Sequence, residues 1–176
     1  MEIGGKGLFT KELEEALLAD RIDGAIHSLK DMQTWLPDGT KIDCILPRED
    51  PRDVLLAPRA RCLADLPLGA TVGTSSLRRQ SHLLAQRPDL KIVPLRGNVE
   101  TRLKKITGGE ADATLLALAG LRRLGLADKA SAVLSTDEML PAVGQGALAI
   151  QTREQDRRMA RLLSPLNDPA SSACVF

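Results

Sequence analysis

At 176 residues the chain is long enough for one good-sized α/β domain or two small ones. A formal charge of +1, with no Tyr, two Phe and one Trp, excludes a general polyanion surface and the stacking platforms of single-strand nucleic-acid binders, so the expected ligand is a small molecule and not a nucleic acid. No run approaches the ~18–20 apolar residues that span a bilayer, and the N-terminus has no signal-peptide core; no membrane partner is expected and the chain reads as cytoplasmic.

Taken in order, the chain opens on a Gly-rich turn, with Lys6 between Gly5 and Gly7 just ahead of a helix. Phe9, Leu13, Ala16 and Leu17 have helical spacing, and that helix should end near Asp20. Lys6 reads equally as a charge beside a ligand that approaches the backbone and as an exposed lysine in a turn. Gly24 to His27 reads as a short buried strand, with Ser28, Lys30 and Asp31 at its C-terminal end, the place where open α/β sheets bind ligands. From the residues alone the favoured reading of Asp31 is an inert strand-end turn aspartate. Ile42 to Leu46 is a further strand, and the twin-proline PREDPRD (Pro47 to Asp53) reads as a segment crossing between domains. Cys44, Cys62 and Cys174 are odd in number, widely spaced and without CxxC pairing, and His27 and His82 make no metal pair; reduced thiols and no metal are expected.

Short apolar strands follow at Val54 to Ala57, Ala70 to Thr74, Leu90 to Leu95 and Ala113 to Ala117, alternating with helices as in a compact sheet with helices on its faces. Ser75 and Ser76 should cap a helix running toward Ala85, which puts Arg78 and Arg79 in its first turn. Helix N-termini are electropositive, so two guanidinium groups there ask for a negative partner, such as a bound carboxylate or phosphate. Arg96-Gly97 reads as a turn and Asn98 as the cap of a second helix, whose Val99, Leu103 and Ile106 mark a buried face with Arg102 to one side. Between Thr71 and Ile106 eight Lys and Arg face only Asp89 and Glu100, a concentrated positive stretch. Arg78, Arg79, Arg96 and Arg102 are read as a site; Arg87, Lys104 and Lys105 as solvated surface charges. A short helix around Arg122 and Arg123 closes at Gly125, and Leu140 to Gly146 forms a second crossing segment. Ala147 to Gln151 is a strand, Glu154 to Leu163 a charged helix with Met159, Leu162 and Leu163 inward, and the tail NDPASSACVF has no clear element.

The words GGKGLFTKELE, HSLKD, REDPRD, VGTSSLRRQ, LRGNVETRL, LALAGLRRLGL and LPAVGQGALAI, in this order from Gly4 to about Arg153, resemble the porphobilinogen deaminase (hydroxymethylbilane synthase) family. The resemblance implies a cytoplasmic transferase of tetrapyrrole and heme biosynthesis, usually monomeric. Such an enzyme condenses four porphobilinogen molecules head to tail with release of ammonia, on a dipyrromethane cofactor. It also implies an α/β fold of two type 2 periplasmic-binding-protein-like domains with mixed sheets flanked by helices: domain 1 over residues 1–48, domain 2 over 52–140, a return strand and helix of domain 1 over 146–166, and the start of a linker over 167–176.

Carried over by position, Asp31 is the catalytic carboxylate, which stabilises the positively charged pyrrole intermediates. Ser28, Lys30, Asp31, Thr74, Ser75, Ser76, Arg78 and Arg79 bind the cofactor's acetate and propionate arms, and Arg96, Arg102, Arg123, Lys6, Phe9, Asn98 and Gln145 serve incoming pyrroles. Gln33 stands where the family usually has proline. An N-terminal strand and helix, and a third domain carrying the cofactor-attachment cysteine, have no counterpart in the sequence, and Cys174 in ACVF is not carried over as that cysteine. The chain alone is therefore expected to be nearly inactive. A catalytically inactive fragment and a small polycarboxylate-binding module of the same fold are the competing readings.

Overall fold

The structure, a computed structural model, describes residues 6–175, and the side chains of residues 6–9 lie outside that description. The chain divides into two compact units, residues 1–49 with 143–176 and residues 50–142. Each has its own sheet.

In the first unit, helix α1 (Lys6–Leu18) precedes β1 (Ala25–Ser28) and β2 (Thr40–Ile45). The helix starts at Lys6, not after it, so the Gly-rich turn expected to hold Lys6 ahead of the helix is partly helical. It ends where Asp20 takes a left-handed φ of 58° and Arg21 N–H reaches back to the Ala16 carbonyl. After the second crossing come β8 (Leu148–Arg153), α5 (Arg157–Leu163) and α6 (Pro169–Ala173), the numbering passing over five strands and three helices that belong to the other unit. The sheet order is β1-β8-β2, antiparallel throughout, so the last strand in sequence lies in the middle. On one face Cys44 and Ile150 pack with Leu163 and Met159; on the other lie Ile45, Ala147 and Ala149.

Three expectations for this unit are corrected. Residues Ala25 to Ser28 are not a buried strand: burial alternates along them, so one face is covered and the other leaves Ile26 64% exposed, and among the described residues β8 is the one strand paired with them. Leu162 points outward at 57% exposure: in a helix of seven residues that follows the Asp156 cap, Met159 and Leu163 already fill the inward stripe. The tail is not without structure, since Asp168 accepts from Ser171 N–H at 2.8 Å and Pro169 takes the first helical position, a start signal that folds residues Pro169–Ala173 as α6.

The second unit contains β3 (Asp53–Leu56), β4 (Thr71–Gly73), α2 (Leu77–Gln86), β5 (Lys91–Val93), α3 (Val99–Thr107), β6 (Ala113–Ala117), α4 (Leu118–Arg123) and β7 (Ala132–Val133). Sheet order is β5-β4-β6-β3-β7. β4 lies parallel to β5 and β6, while β3 runs antiparallel to β6 and β7, a mixed sheet. The apolar runs of β3 and β6 are buried on both faces, as central strands require. Leu83 of α2, fully buried against Leu55, Val72 and Leu115, contributes about 1.5–3 kcal/mol by its removal from water. Val99 and Leu103 of α3 pack on the opposite face with Val54, Leu56 and Leu116. Among the described residues, no helix is long and apolar enough to cross a membrane.

Candidate functional site

The topology of the second unit gathers its candidate residues at one end of the sheet. From β4 the chain turns through Thr74, Ser75 and Ser76 into α2, and from β5 through Arg96, Gly97 and Asn98 into α3. Since β4, β5 and β6 are parallel, those turns and the start of α4 share the carboxyl end of the sheet, and antiparallel β3 begins there too, with Asp53 opposite Ala117. β5 and β6 flank β4 on opposite sides, so this end is a topological switch point.

The turn residues behave as their chemistry requires. Ser76 Oγ accepts from Arg79 N–H as the cap of α2, and Asn98 Oδ1 accepts from Thr101 N–H at 2.8 Å as the cap of α3. Thr74 is buried; its Oγ1 accepts from Ser76 N–H at 3.2 Å, while exposed Ser75 donates to the Leu95 carbonyl at 3.4 Å. Gly97 adopts a φ of 123°, a conformation that brings its carbonyl to Arg102 Nε at 2.8 Å; a Cβ there would meet Thr101 Cβ at 2.8 Å.

Sequence reasoning missed the centre of this cluster. Arg78 and Arg79 face an internal carboxylate, so the negative partner expected from a ligand is supplied in part by Asp53. Asp53 is fully buried; it accepts from Arg79 Nη2 at 2.7 Å and Nε at 3.3 Å and from Arg78 Nη2 at 2.7 Å. Arg79, its side chain only 8% exposed, also donates Nη1–H to the Leu115 carbonyl at 3.0 Å, and Arg78 Nη1 donates to the Leu140 carbonyl. Burial pushes the Asp53 carboxyl up, but the hydrogen bonds and charges of Arg79 and then Arg78 outweigh it and hold the group below the ordinary carboxylate range. Arg102 has the opposite signature: burial, and then the charge of Arg79, pull its pKa down. Arg96 is exposed in the turn leading into α3, and Arg123 is exposed as the last residue of α4.

Arg87 departs from the expectation of a solvated charge. It pairs with Asp89 at 2.7 Å and donates to the carbonyls of Leu63 and Leu66 at 2.9 and 3.0 Å, tying the segment before β4 to the end of α2. Lys104 is exposed and Lys105 pairs with Glu110 at 3.3 Å.

In the first unit the end of β1 runs into a 3-10 turn, Leu29–Asp31, so Ser28, Lys30 and Asp31 stand beside the start of β8, where Ser28 is opposite Leu148. Ser28 is exposed; Lys30 and Asp31 are half-buried. Lys30 Nζ donates to Gln145 Oε1 at 3.4 Å, and Gln145, 1% exposed, accepts from Arg48 Nε at its own carbonyl at 3.0 Å. Sequence reasoning assigned Lys30 and Gln145 separately; the structure joins them and adds Arg48. Lys30 and Arg48, with Leu29, Met32, Gly144 and Cys174, line a cavity of about 500 Å³. Of the remaining thiols, Cys44 is buried, its pKa raised by that burial and by Asp43. Lys6 and Phe9, assigned to substrate, lie outside the described side chains. Among the described residues no group of three or more His, Cys, Asp or Glu is placed to hold a metal ion.

Chemically, guanidinium groups at capped helix starts suit carboxylate-bearing ligands. Comparison with known proteins points the same way. A family model described as porphobilinogen deaminase, dipyromethane cofactor binding domain, matches residues 1–161. A porphobilinogen deaminase from Nitrobacter winogradskyi is 62% identical over 174 residues, which is 99% of this chain and 55% of that protein. A chloroplastic porphobilinogen deaminase from Oryza sativa subsp. japonica is 58% identical over 166 residues, 94% of this chain and 46% of the other. The chain thus spans about half the length of the curated relatives it matches. Among solved structures, an ABC-transporter periplasmic substrate-binding protein from Coxiella burnetii superposes with a TM-score of 0.56 at 18% identity, covering 92% of this chain and 77% of its own, which shows the periplasmic-binding-protein-like fold.

Proposed function

The chain belongs to the porphobilinogen deaminase family, and on that premise we propose that it carries the substrate- and cofactor-binding part of a hydroxymethylbilane synthase, the transferase that condenses porphobilinogen head to tail with loss of ammonia. The observation that carries this reading is the charge balance at the switch point. Among the described residues three guanidinium groups, Arg78, Arg79 and Arg102, stand against one internal carboxylate, Asp53, and the pKa of Arg102 is pulled down by its burial first and by the neighbouring charge of Arg79 second. Two positive charges in excess suit the acetate and propionate of one pyrrole unit.

Arg78, Arg102, Ser75 and the α2 start would hold carboxylate arms of the dipyrromethane cofactor and the growing chain, Arg96 and Arg123 would guide incoming units, and Lys30 would add a cation in the first unit. When bound, the cofactor supplies the pyrrole carbon to which the first unit is joined. Asp31 would take the catalytic part, keeping a carboxylate near the pyrrole nitrogen to offset positive charge on the substrate as ammonia leaves. Cytoplasmic action as a monomer is the corresponding cellular reading.

Calorimetric titration of the chain with porphobilinogen tests the proposal. Saturable binding that weakens with salt and is lost in Arg102→Leu is expected. A chain that takes up no porphobilinogen at low salt would refute it. In a polypeptide of the relatives' full length, Asp31→Asn should stop ammonia release while leaving porphobilinogen binding and the fold unchanged.

A further inference from the structure

Resting on this reading of the site, we infer that Asp53 is a positioning residue for ligand carboxylates: by clamping Arg78 and Arg79 from behind, it fixes the direction in which the remaining N–H groups of Arg78 face the ligand. Asp53 opens β3 and is held at both sides, its carbonyl accepting from Leu134 N–H at 2.9 Å and its residue paired with Ala117 of β6. Its two carboxylate oxygens are divided between the arginines: Oδ1 takes Arg79 Nη2, while Oδ2 takes Arg79 Nε and Arg78 Nη2. Arg79 is further fixed by the Leu115 carbonyl of β6, the strand adjacent to β4.

A guanidinium tied at two edges by a rigid strand cannot swing, and its side-chain entropy is already lost before a ligand arrives. Arg78 is the more open of the two, its side chain 23% exposed against 8% for Arg79, so Arg78 meets the ligand while Arg79 transmits the constraint and its charge to Arg102. A single carboxylate between two arginines removes part of the repulsion between them yet leaves the cluster cationic. With Asp53 merely cancelling charge, any carboxylate within reach would serve; with Asp53 positioning, its length matters.

The test compares porphobilinogen affinity of the chain with that of Asp53→Glu, which keeps the negative charge but displaces it by one methylene. A folded Asp53→Glu that binds roughly tenfold or more weakly supports positioning, because misaligning one charge-assisted hydrogen bond costs affinity of that order. A folded Asp53→Glu with unchanged affinity overturns it, and so does tighter binding by Asp53→Asn, which would make Asp53 a competitor of the ligand. A measurement on the unaltered chain does not depend on variant folding. The Nε–H resonances of Arg78 and Arg79 should shift on addition of porphobilinogen while the Asp53 carboxyl carbon keeps its ionised, bonded position; loss of the Asp53–Arg79 bond on binding refutes the inference. If the unaltered chain binds no porphobilinogen at all, the proposed function fails; if it binds and only the Asp53 results go the other way, this inference alone fails.

Discussion

Replacing Arg79 by leucine tests the physical centre of the second unit. The substitution removes three donated hydrogen bonds, two to Asp53 and one to the Leu115 carbonyl, and leaves the Asp53 carboxylate at zero exposure with Arg78 as its remaining arginine. Breaking a buried pair from one side costs about 3–5 kcal/mol, a large share of the ~5–15 kcal/mol that holds a typical domain together. The double change Arg79→Leu with Asp53→Asn removes the stranded charge, so it should be less destabilising than the sum of the single changes by about 2 kcal/mol or more. The folded pKa of Asp53 lies below its unfolded value of about 3.9, so the stability it contributes is fully present above roughly pH 4 and is lost as the pH falls through the folded pKa. The cost of Arg79→Leu should accordingly be full at neutral pH and shrink in acid. Urea unfolding followed by far-UV circular dichroism is the suitable assay, because the one tryptophan, Trp35, lies in the other unit and is exposed. A single-mutant cost under 1 kcal/mol at pH 7, with strictly additive double-mutant behaviour, would refute the reasoning.

Other consequences are open to direct measurement. Gly146 has a φ of 92°, and a Cβ there would run into the Glu49 carbonyl oxygen and lie 3.1 Å from its carbon, so Gly146→Ala should destabilise the first unit by about 2–5 kcal/mol, on the order of 10 °C in Tm; an unchanged calorimetric transition would contradict this. Arg87→Ala should lower Tm by several degrees, whereas Lys104→Ala, at an exposed position of α3, should barely move it; equal effects would deny Arg87 its clamping role. Asp50, which accepts Arg52's hydrogen bonds, should titrate at about 2, seen in the carboxyl carbon shift. Its contribution to stability is present above about pH 4 and disappears as the pH falls toward 2; a titration near 3.9 would mean that the Arg52 bond does not persist in solution.

What could be read from the sequence was local. Ser76 and Asn98 announce helix starts because a capping side chain bonds to an amide three residues on, and the β-rich apolar runs announce strands because they have no other way to be buried. Asp53 was illegible as the partner of Arg79 because the two are 26 positions apart and meet only once β3 has joined the sheet. A signal existed: an aspartate directly ahead of the apolar run Val54 to Ala57, which reads as a strand, enters the core with that strand and must be paired with something. Lys30 and Gln145, 115 positions apart, were each legible through family words, yet nothing local links one to the other. Leu162 and the tail failed for the opposite reason, since a short helix and a Pro-initiated turn give too few residues for periodicity to show.

The placement of β8 between β1 and β2 has a consequence for how the polypeptide is made. β1 and β2 do not pair with each other, and the strand that bridges them is synthesised only after the whole of residues 50–142. On the ribosome the inserted unit therefore emerges with all its strands while the first unit still waits for its middle one, so the second unit can complete its sheet during translation. The first must close a long-range pairing afterwards, and topologies of that kind close slowly and keep unpaired strand edges open while they wait.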